Sequence, residues 1–360
     1  MKEINIKSEW KIKTDFPIIV AGPCSAETEK QLFSTAEAMQ HISQIDLFRA
    51  GIWKPRTRPG DFEGKGEEAV RWLVDVKEKY GFAVCTEVAT PKHVEVCLKH
   101  GVDALWIGSR TVVSPFAISE ISAALQGVDT SVMVKNPMNP DINLWIGALE
   151  RFYNVGIKRL AAVHRGFFTY NETHFRNDPV WQIPFELKRR IPQLPLICDV
   201  SHISGNSKLI ADVSQWALDL EMDGLMIETH IEPKKALTDA KQQLTPNELN
   251  TLLNTLQIKK TSENLPQKVL NRMRQDIDDV DNQLIQQLGR RLEIVRQMGE
   301  YKQEHNMTIL QMERWKKVLE ERIDKGLGLG IKKEFLFKLL QLIHQESIRI
   351  QSEINSKKNL

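Results

Sequence analysis

The chain has 360 residues, of which 41% are hydrophobic and 27% charged, and its formal net charge is +2. This length indicates two domains, and the composition is typical of a globular protein with a substantial core. The near-neutral charge argues against nucleic-acid or membrane-surface binding. The sequence shows neither a signal peptide nor an apolar run of transmembrane length, and its four cysteines lack CxxC spacing. We therefore predict a cytoplasmic protein.

Eight short apolar segments recur along the first two thirds of the chain, with starts about 20 to 37 residues apart. They are FPIIVAG, DLFRAGI, FAVCTEV, ALWIGS, SVMVKN, LAAVHRG, LPLICDV and GLMIET. Their near-continuous apolarity favours parallel strands buried on both faces, and each interval has room for a helix. We therefore predict an α/β fold, a (β/α)8 TIM barrel over residues 1–258. After the last strand, Thr245, Pro246 and Glu248 predict a capped helix start.

The character of the sequence changes after the barrel. Residues 259–266 are polar, contain a proline and are interpreted as a linker. Residues 267–360 contain three amphipathic runs and no strand signal, which predicts a small all-α helical domain. Such a unit often needs a second copy to cover its apolar faces, so we expect a homo-oligomer, at least a dimer.

Polar residues follow the predicted strands at the end where TIM barrels carry their chemistry. Six of them are cations from four strand ends: Arg49, Lys54, Arg56, Arg110, Lys135 and Arg165. A lone cation in a loop is usually only solvated. Six converging cations would repel one another unless an anion lay among them, and Arg and Lys suit phosphate and carboxylate. We therefore predict an anionic, phosphorylated substrate.

A second group at the predicted mouth is Cys24, His202, Glu228 and Asp239. Strands eight and one are neighbours when a barrel closes, so these side chains are expected to meet. One thiolate, one imidazole and two carboxylates suit a divalent Mn, Fe, Co or Zn ion, which would act as a Lewis acid on a carbonyl. The alternative, for these residue types alone, is a buried structural cysteine and a surface histidine.

The segments GPCSAE, KPRTRP, IGSR, VKNP, VHRG, DVSHISG, IETH and ALTDAKQQL occur in this order. In order and context they resemble 3-deoxy-D-arabino-heptulosonate 7-phosphate (DAHP) synthases of the shorter-chain branch, over residues 16–258. The resemblance implies condensation of phosphoenolpyruvate with erythrose 4-phosphate. It also implies a bound divalent metal, with Mn²⁺ favoured over Fe²⁺, Co²⁺ or Zn²⁺. It implies that the metal ligands are Cys24, His202, Glu228 and Asp239, that phosphoenolpyruvate binds Arg49, Lys54, Arg110, Lys135 and Arg165, and that the aldose phosphate binds Pro55, Arg56, Thr57 and Asp199.

Two residues of the barrel are predicted to act in catalysis. Lys54 is expected to deliver a proton, with its pKa lowered by buried cationic neighbours. Glu87 is expected to hold the attacking water. Val200 stands where the family usually has proline, and the loops containing RPGDFEG and GFFTYNE also depart from its pattern. These departures leave open a different aldose, such as arabinose 5-phosphate.

The helical tail carries its own pattern. Arg291 and Lys302 are eleven residues apart and share a helix face, whereas Arg274 is turned away from that face and is predicted to reach a partner subunit. Ser347 and Gln351 form an i,i+4 pair. For any one pair alone, a solvated charged helix is the alternative.

The run from Arg274 to Gln351 resembles the all-helical chorismate mutases, which form intertwined dimers. The resemblance implies that chorismate binds Arg274, Arg291, Lys302, Arg314, Ser347 and Gln351, with Lys302 and Gln351 catalytic at the ether oxygen. The rearrangement to prephenate needs no cofactor. Gln311 and Trp315 stand where the family commonly has acidic residues, so two alternatives remain: an active mutase or a non-catalytic sensor of chorismate or prephenate. We favour a bifunctional enzyme with feedback from its tail.

Overall fold

A computed structural model describes residues 17–55, 60–169, 174–258 and 267–356. The chain divides into two compact units, Met1–Lys260 and Thr261–Leu360. The first is a closed barrel of eight parallel strands and the second is helical. This confirms the predicted fold class. The predicted linker, residues 259–266, lies outside the described residues.

All eight predicted apolar segments form strands. The strands are β1 (Ile18–Gly22), β2 (Leu47–Arg49), β3 (Val84–Val88), β4 (Ala104–Ile107), β5 (Ser131–Lys135), β6 (Arg159–His164), β7 (Leu196–Asp199) and β8 (Gly224–Glu228). Each pairs in parallel with its neighbours in chain order, and β1 closes the barrel against β8, with Ile18 opposite Gly224 and Gly22 opposite Glu228. The closure places the ends of β1 and β8 side by side.

The helices of the barrel unit follow the strands. They are α1 (Glu29–Met39), α2 (Glu67–Tyr80), α3 (Pro91–His100), α4 (Ser109–Val112), α5 (Pro115–Ala124), α6 (Ile142–Asn154), α7 (Gln182–Arg190), α8 (Val200–Ser204), α9 (Ile210–Asp219) and α10 (Pro246–Thr255). Short 3-10 turns occur at Ser207–Leu209, Pro233–Lys235 and Ala240–Gln242. Thr245 and Glu248 form the predicted capping box at the start of α10.

Apolar side chains form two layers in the barrel unit. An outer layer packs between strands and helices, and an inner cluster fills the barrel below the mouth, with Trp106, Met133 and Met226 among its members. At the end of β1, Gly22 has a φ of +145°, and a Cβ there would lie 2.2 Å from the backbone oxygen of Arg49. Glycine is therefore required where β1 passes β2. This close approach sets the start of the loop that carries Cys24.

The second unit has three helices, as predicted: α11 (Gln267–Glu304), α12 (Met312–Leu327) and α13 (Lys333–Ser356). Both α11 and α12 pack against α13. A small buried cluster of Ile323, Leu336 and Leu340 joins α12 to α13. Many apolar side chains of α11 stay exposed in the single chain. None of the helices in the described ranges is long and apolar enough to cross a membrane.

Candidate active sites

A cavity of about 440 Å³ opens at the carboxyl ends of the barrel strands. Its lining is mostly charged or polar and comprises Lys54, Pro55, Asp61, Glu87, Gly108, Ser109, Arg110, Lys135, Met138, Arg165, Phe168, Arg176, Asn177, His202 and Asp239. The parallel topology brings these residues together from separate strand ends. Four of the six predicted cations, Lys54, Arg110, Lys135 and Arg165, therefore line one cavity.

The predicted metal ligands meet beside this cavity. Ligand atoms of Cys24, Glu228 and Asp239 all lie within 4.8 Å of one another, and Cys24 Sγ is 3.4 Å from Asp239 Oδ2. His202 lies outside this tightest group, with Nε2 3.8 Å from a carboxylate oxygen of each acid. A thiol, an imidazole and two carboxylates thus converge on one small volume. This donor set fits a borderline divalent ion.

Three of the four predicted ligands, His202, Glu228 and Asp239, are held by a further contact. Nδ1 of His202 lies 2.9–3.0 Å from the two Asp199 oxygens, which favours a proton on Nδ1 and a lone pair on Nε2. Gln242 Nε2 donates to Glu228 Oε2 at 2.7 Å. Arg176 Nη1 contacts Asp239 Oδ1 at 2.9 Å and donates to Gln242 Oε1 at 2.6 Å. These contacts orient the ligand set before anything binds.

The electrostatics of the group follow from burial and from its cations. Burial, reinforced by Glu228, raises the pKa of the Cys24 thiol to about 12. Burial alone would raise the pKa of Asp239 and of Glu228, but His202 and neighbouring arginines outweigh it, and both carboxyl pKa values lie below their ordinary range. Burial lowers the pKa of His202, which favours the neutral imidazole that ligates metals. Both acids and the imidazole are therefore in ligand form at neutral pH.

The predicted cations are partly neutralised within the site. Arg49 Nη2 donates to Glu228 at 3.2 Å, and Lys135 Nζ donates to Asp199 at 2.6 Å. Arg49 Nε and Nη1 are buried and have no hydrogen-bond partner within the described part of the chain. These orphaned donors are available to an anion, which supports the predicted anion specificity.

Arg165 is held by two neutral amide side chains. Its Nη1 donates to Asn177 Oδ1 at 2.7 Å, and its backbone N–H donates to Asn136 Oδ1 at 2.7 Å. Burial and the nearby Arg176 and Arg110 outweigh the attraction of Asp199 and lower its pKa to about 10. The guanidinium is still charged at neutral pH and is destabilised until an anion arrives. Arg110 lines the same cavity.

The expected lowering of the Lys54 pKa is wrong. Burial does favour the neutral amine, but attraction to Cys24, Glu87 and Glu228 outweighs it and leaves the pKa of Lys54 above its usual value. The ammonium Nζ lies 3.1 Å from Cys24 Sγ and 3.2 Å from Cys24 O. The sequence suggested cationic neighbours, whereas the fold places Lys54 against anionic groups. Lys54 therefore carries a proton that it can donate.

The remaining predicted barrel residues lie in different settings. Glu87 lines the cavity and accepts a hydrogen bond from Trp106. Pro55 also lines it, whereas Arg56 and Thr57 lie outside the described residues. Asp199 is fully buried behind Lys135 and His202 rather than in the cavity lining.

In the helical unit, α11 and α13 bring part of the predicted mutase set together. Arg291 Nη1 donates to Ser347 Oγ at 2.7 Å. Gln351 Nε2 donates to Ser347 O at 3.2 Å, and its buried Oε1 has no partner among the described residues. Lys302 Nζ donates to Ile309 O at 2.7 Å, at the turn after α11. Arg274 and Arg314 are exposed in the single chain.

The two departures from the mutase pattern have separate places. Trp315 stacks on His344 with ring centroids 3.8 Å apart and packs beside the small α12–α13 cluster. Gln311 is the residue before α12 and makes no side-chain cap bond. Trp315 therefore joins α12 to α13 through its indole face, which an acid would not do.

Comparison with known proteins decides the family. Residues 3–264 match the DAHP synthetase I family, and residues 273–352 match chorismate mutase type II. The chain belongs to the DAHP synthetase I family. It is an enzyme that combines a DAHP synthase domain with a chorismate mutase domain, as the sequence predicted.

Individual relatives agree with this assignment. The phospho-2-dehydro-3-deoxyheptonate aldolase of Thermotoga maritima is 29% identical over 234 residues, which cover 65% of this chain and 67% of that protein. The 2-dehydro-3-deoxyphosphooctonate aldolase of Wolinella succinogenes is 27% identical and covers 66% and 97%. The crystal structure of the Thermotoga maritima DAHP synthase superposes with a TM-score of 0.60 at 27% identity, over 67% of this chain and 68% of that one.

Sequence reasoning missed several residues of this DAHP synthase site. Arg176 and Asn177 line the cavity, yet they lie more than ten residues after the end of β6, too far along the chain to be recognised as strand-end residues. Gln242 belongs to the segment ALTDAKQQL that carried the resemblance, but an amide has no charge to attract attention. Trp106 was hidden inside an apolar strand. The position of Gln242 in that segment, three residues after the predicted ligand Asp239, is the one usable sequence signal among these four residues.

Proposed function

We propose that the barrel condenses phosphoenolpyruvate with erythrose 4-phosphate to DAHP and inorganic phosphate, with a divalent metal held by Cys24, His202, Glu228 and Asp239. The observation that carries this proposal is the convergence of that ligand set with Lys54 at the wall of a cationic cavity. Mn²⁺ suits the carboxylates and imidazole, and Fe²⁺, Co²⁺ or Zn²⁺ would also suit the thiolate. When bound, the metal polarises the aldehyde oxygen of the aldose.

The protein groups have distinct tasks in the condensation. Arg49, Lys135 and Arg165, with Lys54 and Arg110, bind the phosphate and carboxylate of phosphoenolpyruvate and fix its C3 toward the aldehyde carbon. As the new carbon–carbon bond forms, the Lys54 ammonium donates its proton to the aldehyde oxygen. Glu87 holds the water that adds at C2. One proton of this water restores the Lys54 ammonium, and the other leaves with phosphate as the C2–O bond to phosphate breaks and the C2 ketone forms. The buried cations stabilise the charge that develops.

A single assay set tests the condensation. The full chain is incubated with phosphoenolpyruvate and either erythrose 4-phosphate or arabinose 5-phosphate, and phosphate release is measured before and after chelation and metal return. We expect release with erythrose 4-phosphate that chelation abolishes and Mn²⁺ restores. Preference for arabinose 5-phosphate would establish the second candidate, which the octonate aldolase relative supports. Activity that survives complete metal removal would contradict the metal role.

We propose that the helical domain rearranges chorismate to prephenate within a dimer. Arg291 and Arg314 clamp the carboxylates, with Arg274 contributed across the dimer, and Ser347 holds the Arg291 guanidinium. Lys302 and Gln351 face the ether oxygen, where negative charge grows as the bond breaks. The unpartnered, buried Gln351 Oε1 supports a polar ligand at this point. Binding chorismate in its compact conformer supplies the rest of the rate enhancement.

A sensor function is the second candidate for this domain, because Trp315 replaces an acid of the family pattern. An assay of the whole chain after treatment with a chelator distinguishes an active mutase from a sensor, since the rearrangement needs no metal. We expect prephenate formation from chorismate at an undiminished rate. No turnover, together with a rise in melting temperature on adding prephenate, would establish the sensor instead.

We further propose feedback from prephenate or chorismate on the barrel, with phosphoenolpyruvate, erythrose 4-phosphate and chorismate as the small-molecule partners.

All four cysteines are unpaired and buried. Unpaired thiols fit the predicted cytoplasmic location.

A further inference from the structure

Trp106 is fully buried at the base of the barrel mouth. It belongs to β4 and points into the inner apolar cluster, away from the outer helices. It is absent from the lining of the cavity. Nevertheless, this one indole contacts three charged residues that come from three other strands.

Two of these residues are cations that lie over the face of the indole ring. The Arg49 Cζ atom lies 4.8 Å from the ring centroid and the Lys135 Nζ atom lies 5.8 Å from it. Each cation meets a carboxylate as well, Glu228 for Arg49 and Asp199 for Lys135. Each is thus held by an aromatic contact and an ion pair in a dry setting, where a cation–π contact is strongest.

The third residue is Glu87, held through the edge of the indole. Trp106 Nε1 donates to Glu87 Oε2 at 2.9 Å. On the other side of the carboxylate, Glu87 Oε1 lies against the backbone of Gly108. A Cβ at residue 108 would lie 2.1 Å from this oxygen, so glycine leaves the room that the carboxylate occupies. The carboxyl group is therefore fixed between the indole and the backbone of residue 108.

We propose that Trp106 is a positioning residue for the condensation. Its ring orders Arg49 and Lys135 for phosphoenolpyruvate, and its N–H orders Glu87 at the cavity. Groups ordered in advance lose little freedom when substrate binds and are aimed at charge as it develops. This inference rests on the proposed DAHP synthase reaction. It predicts that loss of the indole N–H and loss of the aromatic ring have separate kinetic effects.

Two substitutions separate those effects. Trp106→Phe keeps an aromatic face but removes the N–H, so we expect kcat to fall about 10-fold, with KM for phosphoenolpyruvate within about twofold of wild type. Trp106→Leu removes both, so KM for phosphoenolpyruvate should also rise, by about 5-fold or more. The matched control is Trp145→Phe, because Trp145 is equally buried but donates to Val134 O on the outer side of the barrel. It should change neither constant.

The outcome is read as ratios to wild type, with melting temperature and active fraction measured for each variant. Wild-type turnover itself tests the proposed reaction, whereas the ratios test Trp106. A Trp106→Phe variant with the kinetics of Trp145→Phe would overturn the proposal, as would a Trp106→Leu variant with unchanged KM. In a Glu87→Gln background, Trp106→Phe should have no additional effect on kcat. A fully additive loss would also overturn the proposed link. If Trp106→Leu does not fold, Trp106→Phe and the double variant still decide.

Discussion

His164, at the end of β6, is a buried imidazole next to Arg165, a proposed phosphoenolpyruvate-binding residue. It packs against Phe167 and Trp181, with ring centroids 5.7 and 5.2 Å away. Burial first, and then the positive charge of Arg165, lower its pKa to about 3. The folded barrel therefore keeps this imidazole neutral at pH values where the unfolded chain protonates it.

This difference in pKa predicts an acid sensitivity of stability. Between pH 6.5 and about 3 the unfolded state binds a proton that the folded state does not, so the free energy of unfolding falls as pH falls through this window. The loss is at most about 1.4 kcal/mol per pH unit. We expect His164→Phe to flatten this dependence in denaturant titrations at several pH values.

The control for this prediction is Phe167→Leu, which disturbs the same packing without removing a titratable group. Its loss of stability should be the same at every pH. A His164→Phe variant whose stability curve runs parallel to wild type down to pH 4 would show that His164 does not cause the acid sensitivity.

At the scale of elements, the loop after β8 depends on one amide. Gln242 accepts from Arg176 Nη1 and donates to Glu228 Oε2, so it links the loop after β6, the loop after β8 and the strand end. Asp239 starts this turn with a φ of +48°, a left-handed conformation that a non-glycine residue adopts only when its neighbours hold it. The geometry of two proposed metal ligands, Glu228 and Asp239, therefore depends on Gln242.

Gln242→Leu removes both amide bonds at similar volume. We expect metal affinity to fall about 10- to 100-fold, as for other residues that orient ligands. The measurement is titration of Mn²⁺ into chelator-treated protein. Gln215→Leu is the control, because Gln215 bonds to Asp219 and Gln257 on the outer face. Equal affinities for the two variants would contradict this role of Gln242.

The structure also shows what a sequence can specify. Eight strands were predictable because each is an apolar run between helix-sized intervals, and parallel strands place their carboxyl ends together. That rule correctly brought Cys24, Glu228 and Asp239 together. It could not predict the sign of the Lys54 pKa shift, because the shift depends on distances to thiol and carboxylates that only the fold sets. Nor could it find Arg176, whose loop position carries no periodic signal.

The helix α11 presents an unpartnered apolar row. The row consists of Leu270, Met273, Ile277, Val280, Leu284 and Leu288, spaced three or four residues apart and 41–60% exposed in the single chain. Side chains at this spacing form one stripe along a helix. A stripe this long suits a second copy of the domain, which is the arrangement that the proposed mutase requires.

We expect Leu284→Asp to shift the chain from dimer toward monomer, because a charge would be buried in the stripe. Sedimentation velocity over a concentration series measures this shift. Gln283→Asp, one position along the same helix, introduces the same charge off the stripe and should leave the dimer intact. Chorismate turnover should fall with dimer content, since Arg274 acts across the dimer in the proposal. A monomeric Leu284→Asp variant with full mutase activity would contradict that proposal.

At the scale of the whole molecule, two active sites with different requirements share one chain. In the proposed reactions, the barrel site needs a metal and binds two phosphorylated substrates, whereas the helical site needs no metal and binds a dicarboxylate through cations and amides. Because chorismate lies downstream of DAHP, occupancy of the helical site reports product supply to the barrel. A ligand can shift barrel activity only if it binds the active and less active states with different affinity.

This requirement gives a test of feedback in the full chain. We expect prephenate to lower the rate of DAHP formation, and Arg291→Ala to abolish the inhibition while leaving the uninhibited rate unchanged, because Arg291 belongs to the helical site alone. Arg296→Ala, which removes only a surface pair with Glu293, is the matched control and should retain inhibition. Linkage also relates the two binding affinities: the factor by which prephenate weakens phosphoenolpyruvate binding is the factor by which phosphoenolpyruvate should weaken prephenate binding. Barrel activity that is unchanged at saturating prephenate would exclude this coupling.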